Sequence, residues 1–141
     1  MNILICYDGS PLAKKALSTG IKLGNALNAE VNIFYSMSPP KESKEVFEFI
    51  KNAAQKETEK AKEEAEEACQ IVEKTGLVCK THILTEEKNP GEDIINFAKQ
   101  IKSEYIVIGV RSRSRVGKLI FGSTAQYVIL NSPCPVMTVR S

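Results

Sequence analysis

The chain has one histidine, no Cys-x-x-Cys pair, no long apolar run and almost no net charge. Each of these shortages removes a class of function. With His82 alone, a Ser-His or Cys-His nucleophile pair has no obvious base, because His82 falls in an expected edge strand away from the chemically loaded loops and reads as a surface histidine. Nineteen basic against seventeen acidic residues leave +2, too little for a broad nucleic-acid or anionic-lipid surface. The basic run Arg111-Ser112-Arg113-Ser114-Arg115 lacks the interleaved aromatics of a nucleic-acid patch. Cys6, Cys69, Cys79 and Cys134 show no metal-ligand or redox spacing, and their mostly apolar contexts suggest buried reduced thiols. No window approaches the roughly 20 apolar residues of a membrane helix. Met1 to Cys6 has no basic n-region and meets Asp8-Gly9 too early for a signal peptide. A cytoplasmic location, with neither membrane nor nucleic acid as partner, is the expectation.

What is present is an alternation of apolar strands and amphipathic helices. At 141 residues with 43% hydrophobic content, the chain can bury one core without staples, and no repeat or linker divides it. A single domain over 1–141 is expected. The strand candidates are Asn2–Tyr7, Val31–Met37, Leu77–Leu84, Tyr105–Gly109 and Cys134–Val139. Ser10 and Pro11 read as N-cap and first position of a helix whose apolar face carries Gly20 and Gly24 for close packing. Asn89-Pro90 opens another helix in the same way. Residues from Lys41 to Thr75 keep a helical stripe, Ala61, Ala65, Ala68 and Val72 among it. As one helix they would span about 50 Å, so a break or an overhanging first part carrying Phe47 and Phe49 is expected. Its charges read as a solvated face with i,i+4 pairs. The alternating third strand and Pro135 in the fifth place both at sheet edges. The sum is an α/β domain with a five-stranded parallel sheet, order 3-2-1-4-5, and helices on both faces.

The densest chemistry lies between Tyr105 and Thr124. There an apolar strand ends at Gly109, a loop follows, and Gly122-Ser123-Thr124 opens a new helix. Unpaired N–H groups and the helix dipole stabilise phosphate at such a point. In the expected order the winding reverses between the first and fourth strands, where ligands bind. Asp8 then faces Gly109 across the crevice and can accept a ribose hydroxyl, though it can equally be a turn carboxylate. Ser36 and Met37 end the second strand, where backbone groups can meet a base, and Arg111 is placed to reach phosphate or else belongs to a solvated basic loop. Gly117-Lys118 is no Walker A lysine site, because Leu119 stands where magnesium needs Ser or Thr and Ser112 stands at the upstream glycine.

Together ILICYDGS, SPPKE, VIGVRSRS, GKLIFGSTAQ and SPCPVMTV resemble the universal stress protein family, single-domain kind, over the whole chain. The resemblance implies the fold just described, a homodimer paired through the last strand, and a role in stress response. In the adenine-nucleotide branch of that family Gly-x-x-Gly is followed after nine residues by Gly-Ser or Gly-Thr. Here Gly109, Ser112, Gly122 and Ser123 fall on that spacing. Ser112 replaces the second glycine and brings a Cβ to where backbone approaches phosphate. The implied ligand is an adenine nucleotide, ATP or AMP, with or without magnesium. The implied site is Asp8, Ser36, Gly109, Arg111, Ser112, Gly122, Ser123 and Thr124. An interaction module of the same fold without nucleotide, and a slow ATP hydrolase, are the alternatives. The sequence does not identify the stress signal or the downstream protein.

Overall fold

The computed structural model describes residues 1–37, 47–85, 89–111, 113–115, 118–120 and 122–141. In chain order the elements are β1 (Asn2–Cys6), α1 (Pro11–Leu27), β2 (Glu30–Met37), α2 (Phe47–Glu73), β3 (Cys79–Thr85), α3 (Pro90–Gln100), β4 (Tyr105–Val110), β5 (Arg113–Arg115), β6 (Lys118–Ile120), α4 (Ser123–Asn131) and β7 (Val136–Arg140). β3-β2-β1-β4-β7 form one parallel sheet. This is the expected five-strand order, with β3 and β7 at the edges.

Successive strand residues point to opposite faces, and both faces are covered. Ile3, Ile5, Val31, Ile33 and Val107 meet α1 and α2 through Ala13, Ala16, Leu17, Ala65, Ala68 and Val72. Leu4, Phe34, Ile106, Ile108 and Val110 meet α3 and α4 through Ile94, Ile95, Ala98, Ala125 and Val128. Each fully buried Ile, Leu or Val contributes about 1.5–3 kcal/mol. A Cβ on Gly20 would run into Ile5, and one on Gly24 would lie 2.9 Å from Leu77, so the glycine stripe does seat α1 on the sheet.

The helix starts follow the sequence signals. Ser10 Oγ accepts from Ala13 N at 3.1 Å. Asn89 Oδ1 accepts from Glu92 N at 2.9 Å, and Glu92 answers by accepting from Asn89 Nδ2 at 3.0 Å, so one first-turn N–H of α3 is capped and the capping side chain is itself held. α2 runs unbroken from Phe47 to Glu73, about 40 Å of helix against strands of about 20 Å. Its later turns pack on the sheet as expected, and Lys60–Glu64 forms an i,i+4 pair at 3.8 Å. The segment before Phe47, where a break was expected, lies outside the described residues.

Three expectations need correction. Cys69 and Cys79 are not reduced thiols but a disulfide. α2 ends at Glu73, Gly76 turns the chain with φ +90°, and β3 returns antiparallel to the helix, which brings Cys79 beside Cys69 with Cα atoms 5.5 Å apart. Cys6 and Cys134 are free. His82 does sit in edge strand β3, yet it is half-buried, bonded to Asn32 Oδ1 at 3.1 Å and against Phe97 at 4.5 Å. Finally, the loop between Gly109 and Gly122 contains a short antiparallel hairpin, β5 with β6.

A cross-link closing a loop of this length, with sequence separation 10, restricts the unfolded chain by about 3 kcal/mol. Dithiol reduction is therefore expected to lower Tm by on the order of 10 °C. Scanning calorimetry with and without reductant checks this, and equal Tm values would mean that the pair does not form in solution.

Candidate functional site

The winding reverses between β1 and β4, which pair in register Ile3 with Tyr105 and Ile5 with Val107. Their following loops diverge to α1 and to α4, and a cavity of about 390 Å³ opens at the carboxyl edge of the sheet. Asp8, Ser10 and Leu12 come from the β1 side. Gly109 and Arg111 come from β4, Gly122, Ser123 and Thr124 from the start of α4, and Ser36 from the end of β2. Seven of the eight residues singled out in sequence thus line one cavity. The eighth, Ser112, lies outside the described residues.

Opposite walls of this cavity differ in chemistry. Asp8 is exposed, and its Oδ1 accepts from Ser10 N at 2.9 Å, so the carboxylate is held toward the helix entrance as a turn residue. Behind it, Tyr35 Oη lies 2.9 Å from Glu64 Oε2 and 3.1 Å from the Asp8 carbonyl. This hydroxyl fastens the loop to α2. Gly9 has φ +78°, and a Cβ there would collide with the Glu64 carboxylate. The left-handed turn is what requires glycine, since the Glu64 carboxylate is the far end of a flexible side chain.

On the far wall, α4 starts at Gly122 without a side-chain cap, unlike α1 and α3, whose caps are Ser10 and Asn89. Among the described residues its first-turn N–H groups have no side-chain acceptor, and they stand at the cavity with Ser123 and Thr124. Gly122 has φ −60°, and a Cβ there would meet nothing within 4 Å. The glycine is not demanded by backbone or packing; its small size leaves the cavity open. Gly109 is different. A Cβ on it would lie 2.6 Å from Leu12 Cγ, so this glycine first serves the seating of α1 on β4.

The floor carries a second signal. Ser36 Oγ is buried and has no hydrogen-bond partner among the described residues, a state that costs free energy unless something else supplies the bond. Cys6, also in the lining, is a neutral thiol, since burial pushes it up to about 12. Tyr35 is pushed up to about 12 by burial, by its bond to Glu64 and by the charges of Glu64 and Asp8. Tyr7 is raised by burial and by Glu64, Glu67 and Asp8. No new anion therefore forms near neutral pH to repel an anionic ligand.

Sequence reasoning passed over much of the apolar lining, Cys6, Phe34, Pro90, Ile94, Ile108 and Ala125 among it. Pro90 had a signal, because every loop leading from a parallel strand to its helix collects at this same edge. The others read only as core.

A second cavity, of about 560 Å³, lies beside β3 and is lined by His82, Asp93, Asn96, Phe97 and Gln100 among others. His82 is held below its ordinary value by burial and then by Lys80, with Glu30 opposing. The unfolded chain, with its ordinary value near 6.5, thus takes up the proton first. Stability from this site is full above that pH and falls as pH drops below it. In His82→Gln, the loss of Tm between pH 8 and pH 5 is expected to shrink. An unchanged loss in parallel melts would remove His82 as the cause.

A five-stranded parallel sheet in this order, with a crevice at the β1/β4 reversal, defines a doubly wound α/β protein. The family model of the universal stress protein family matches residues 1–140, and the chain belongs to that family. It is 32% identical over 139 residues to a universal stress protein of Thermus aquaticus, spanning 98% of this chain and 97% of that one. Among solved structures, a universal stress protein from Archaeoglobus fulgidus aligns with TM-score 0.78 and 31% identity, over 98% and 97% of the two chains. Another, from the same organism in complex with dAMP, aligns with TM-score 0.71 and 26% identity over 98% and 96%.

Proposed function

We propose that this chain binds an adenine nucleotide, ATP or AMP, in the cavity between β1 and β4, and acts as a homodimeric, cytoplasmic regulator in stress response without efficient catalysis. One observation carries the reading. The uncapped N-terminus of α4 and the orphaned Ser36 hydroxyl border the same cavity, and a nucleotide is a ligand with phosphate for the first and hydrogen-bonding groups for the second. The relative bound to dAMP supports the choice of adenine.

In this reading the phosphates rest on the N–H groups of Ser123 and Thr124 and on their hydroxyls. Arg111, exposed at the end of β4, adds a charge-assisted contact. Asp8 accepts from ribose, and the apolar lining of Phe34, Ile94 and Ile108 takes the base face. Ser112, at the branch pattern's second glycine, lies outside the described residues. No group of three or more His, Cys, Asp or Glu gathers among the described residues to hold a metal. Magnesium would therefore arrive on phosphate oxygens and water.

Gly122→Val tests the site, because its new side chain enters open space and leaves the fold intact. Calorimetric titration with ATP and AMP is expected to give at least a tenfold loss of affinity, about 1.4 kcal/mol or more. Unchanged affinity in a folded variant would place the ligand elsewhere. If the parent protein itself is unmoved by millimolar nucleotide, the interaction-module reading takes over.

Dimerisation is proposed through β7. Among the described residues it is an edge strand with an unpaired row of backbone groups, and its own Met137 and Val139 are only partly buried. Val139→Asp is expected to sediment as monomer. An unchanged dimer, with the fold verified by circular dichroism, would exclude this edge. Among the described residues no helix is long and apolar enough to cross a membrane.

A further inference from the structure

α2 is held to the sheet mainly by small side chains. Its described buried face is Ala61, Ala65, Ala68, Cys69 and Val72, and alanines bring little apolar area per turn. The bond from Cys69 to Cys79 is therefore a large share of what keeps the last turns of α2 against β3. Glu64 lies five residues before Cys69, about 7–8 Å along the helix. Its carboxylate accepts from Tyr35 Oη at 2.9 Å and fills the space beside Gly9. One continuous set of contacts thus runs from the disulfide, through α2, to the Asp8–Ser10 loop.

We infer that Cys69–Cys79 is a thiol–disulfide exchange site whose redox state sets how firmly α2 holds the Asp8–Ser10 loop. The reductant class is a small thiol such as glutathione, a choice that rests on the cytoplasmic placement proposed above, since disulfides in that compartment are usually transient, exchanging ones. Cys79 is half-buried in edge strand β3, whereas Cys69 is 6% exposed, so the thiolate attacks the Cys79 sulfur. The S–S bond breaks, Cys69 leaves as a thiolate and takes a proton, and a mixed disulfide remains on Cys79. A second thiolate attacks the reductant's sulfur in that mixed disulfide. It releases Cys79 as a thiolate, which is protonated, and yields the oxidised reductant, two electrons having passed to the cystine. Cys6 takes no part, because it packs with the cluster on the opposite face of the sheet.

The test is amide hydrogen exchange by mass spectrometry on the full chain, oxidised and after dithiol reduction, with no nucleotide present. Its result is thereby independent of whether the cavity binds one. Reduction is expected to speed exchange about tenfold or more in residues 61–73 and in the Asp8–Ser10 loop, while β1 and β4 keep their protection. Glu64→Ala retains the disulfide and cuts the contact to the loop; it is expected to leave loop exchange fast in both redox forms. Equal protection in both forms of the parent, or a uniform rise that includes β1 and β4, would overturn the inference. So would redox-dependent loop exchange that survives in Glu64→Ala. Differential alkylation across glutathione buffers supplies the chemical control. Cys69 and Cys79 are expected to be blocked together in oxidising buffer and free together in reducing buffer, and two thiols free throughout would equally overturn it.

Discussion

Burial of both faces of a parallel sheet is the constraint from which the rest follows. A strand covered on two sides must be apolar at consecutive positions, as Ile3-Leu4-Ile5 and Ile106-Val107-Ile108 are. Parallel pairing then requires a helix to carry the chain back after each strand. Every strand-to-helix loop therefore emerges at one edge. Because the winding reverses between β1 and β4, two of those loops part from each other and leave a crevice. The cavity is a consequence of topology, and its chemistry is a choice of the loop residues that happen to border it.

That chemistry combines an open helix start with a small residue. α1 and α3 each engage one first-turn N–H with the side chain of Ser10 or Asn89, while α4 has no such cap and keeps Gly122 where a side chain would meet only space. A capping side chain in place of Gly122 would contribute roughly a few tenths of a kcal/mol to stability, and its omission leaves donors facing a cavity. The same trade recurs at Ser36, a buried hydroxyl with no described partner. Places where a fold leaves polar groups unmet are where ligands are to be sought.

How much of this was legible depended on the range of each interaction. Strand order, edge strands and the caps at Ser10 and Asn89 rest on local pattern, and local pattern is what a sequence displays. The positions bordering the crevice, from Asp8 to Thr124, followed once the order of strands was set. The disulfide did not follow, since pairing Cys69 with Cys79 depends on where α2 ends and how Gly76 turns the chain, not on spacing. His82 looked exposed for a similar reason. Its bond to Asn32 and its contact with Phe97 come from three separate elements. The β5–β6 hairpin joins two three-residue strands too short to carry a periodic signal. Gly109 was placed correctly at the crevice, but the packing need of Leu12 is a tertiary fact that no pattern displays.

The most direct measurement is a residue-resolved NMR titration of the full chain with AMP. The account expects saturable shifts concentrated at Asp8, Ser36, Gly109 and the Gly122–Thr124 turn, with Gly122→Val abolishing them. Silence at millimolar AMP, or shifts centred instead on the cavity beside His82, Asp93 and Phe97, would contradict the claim that the β1/β4 crevice is the nucleotide site.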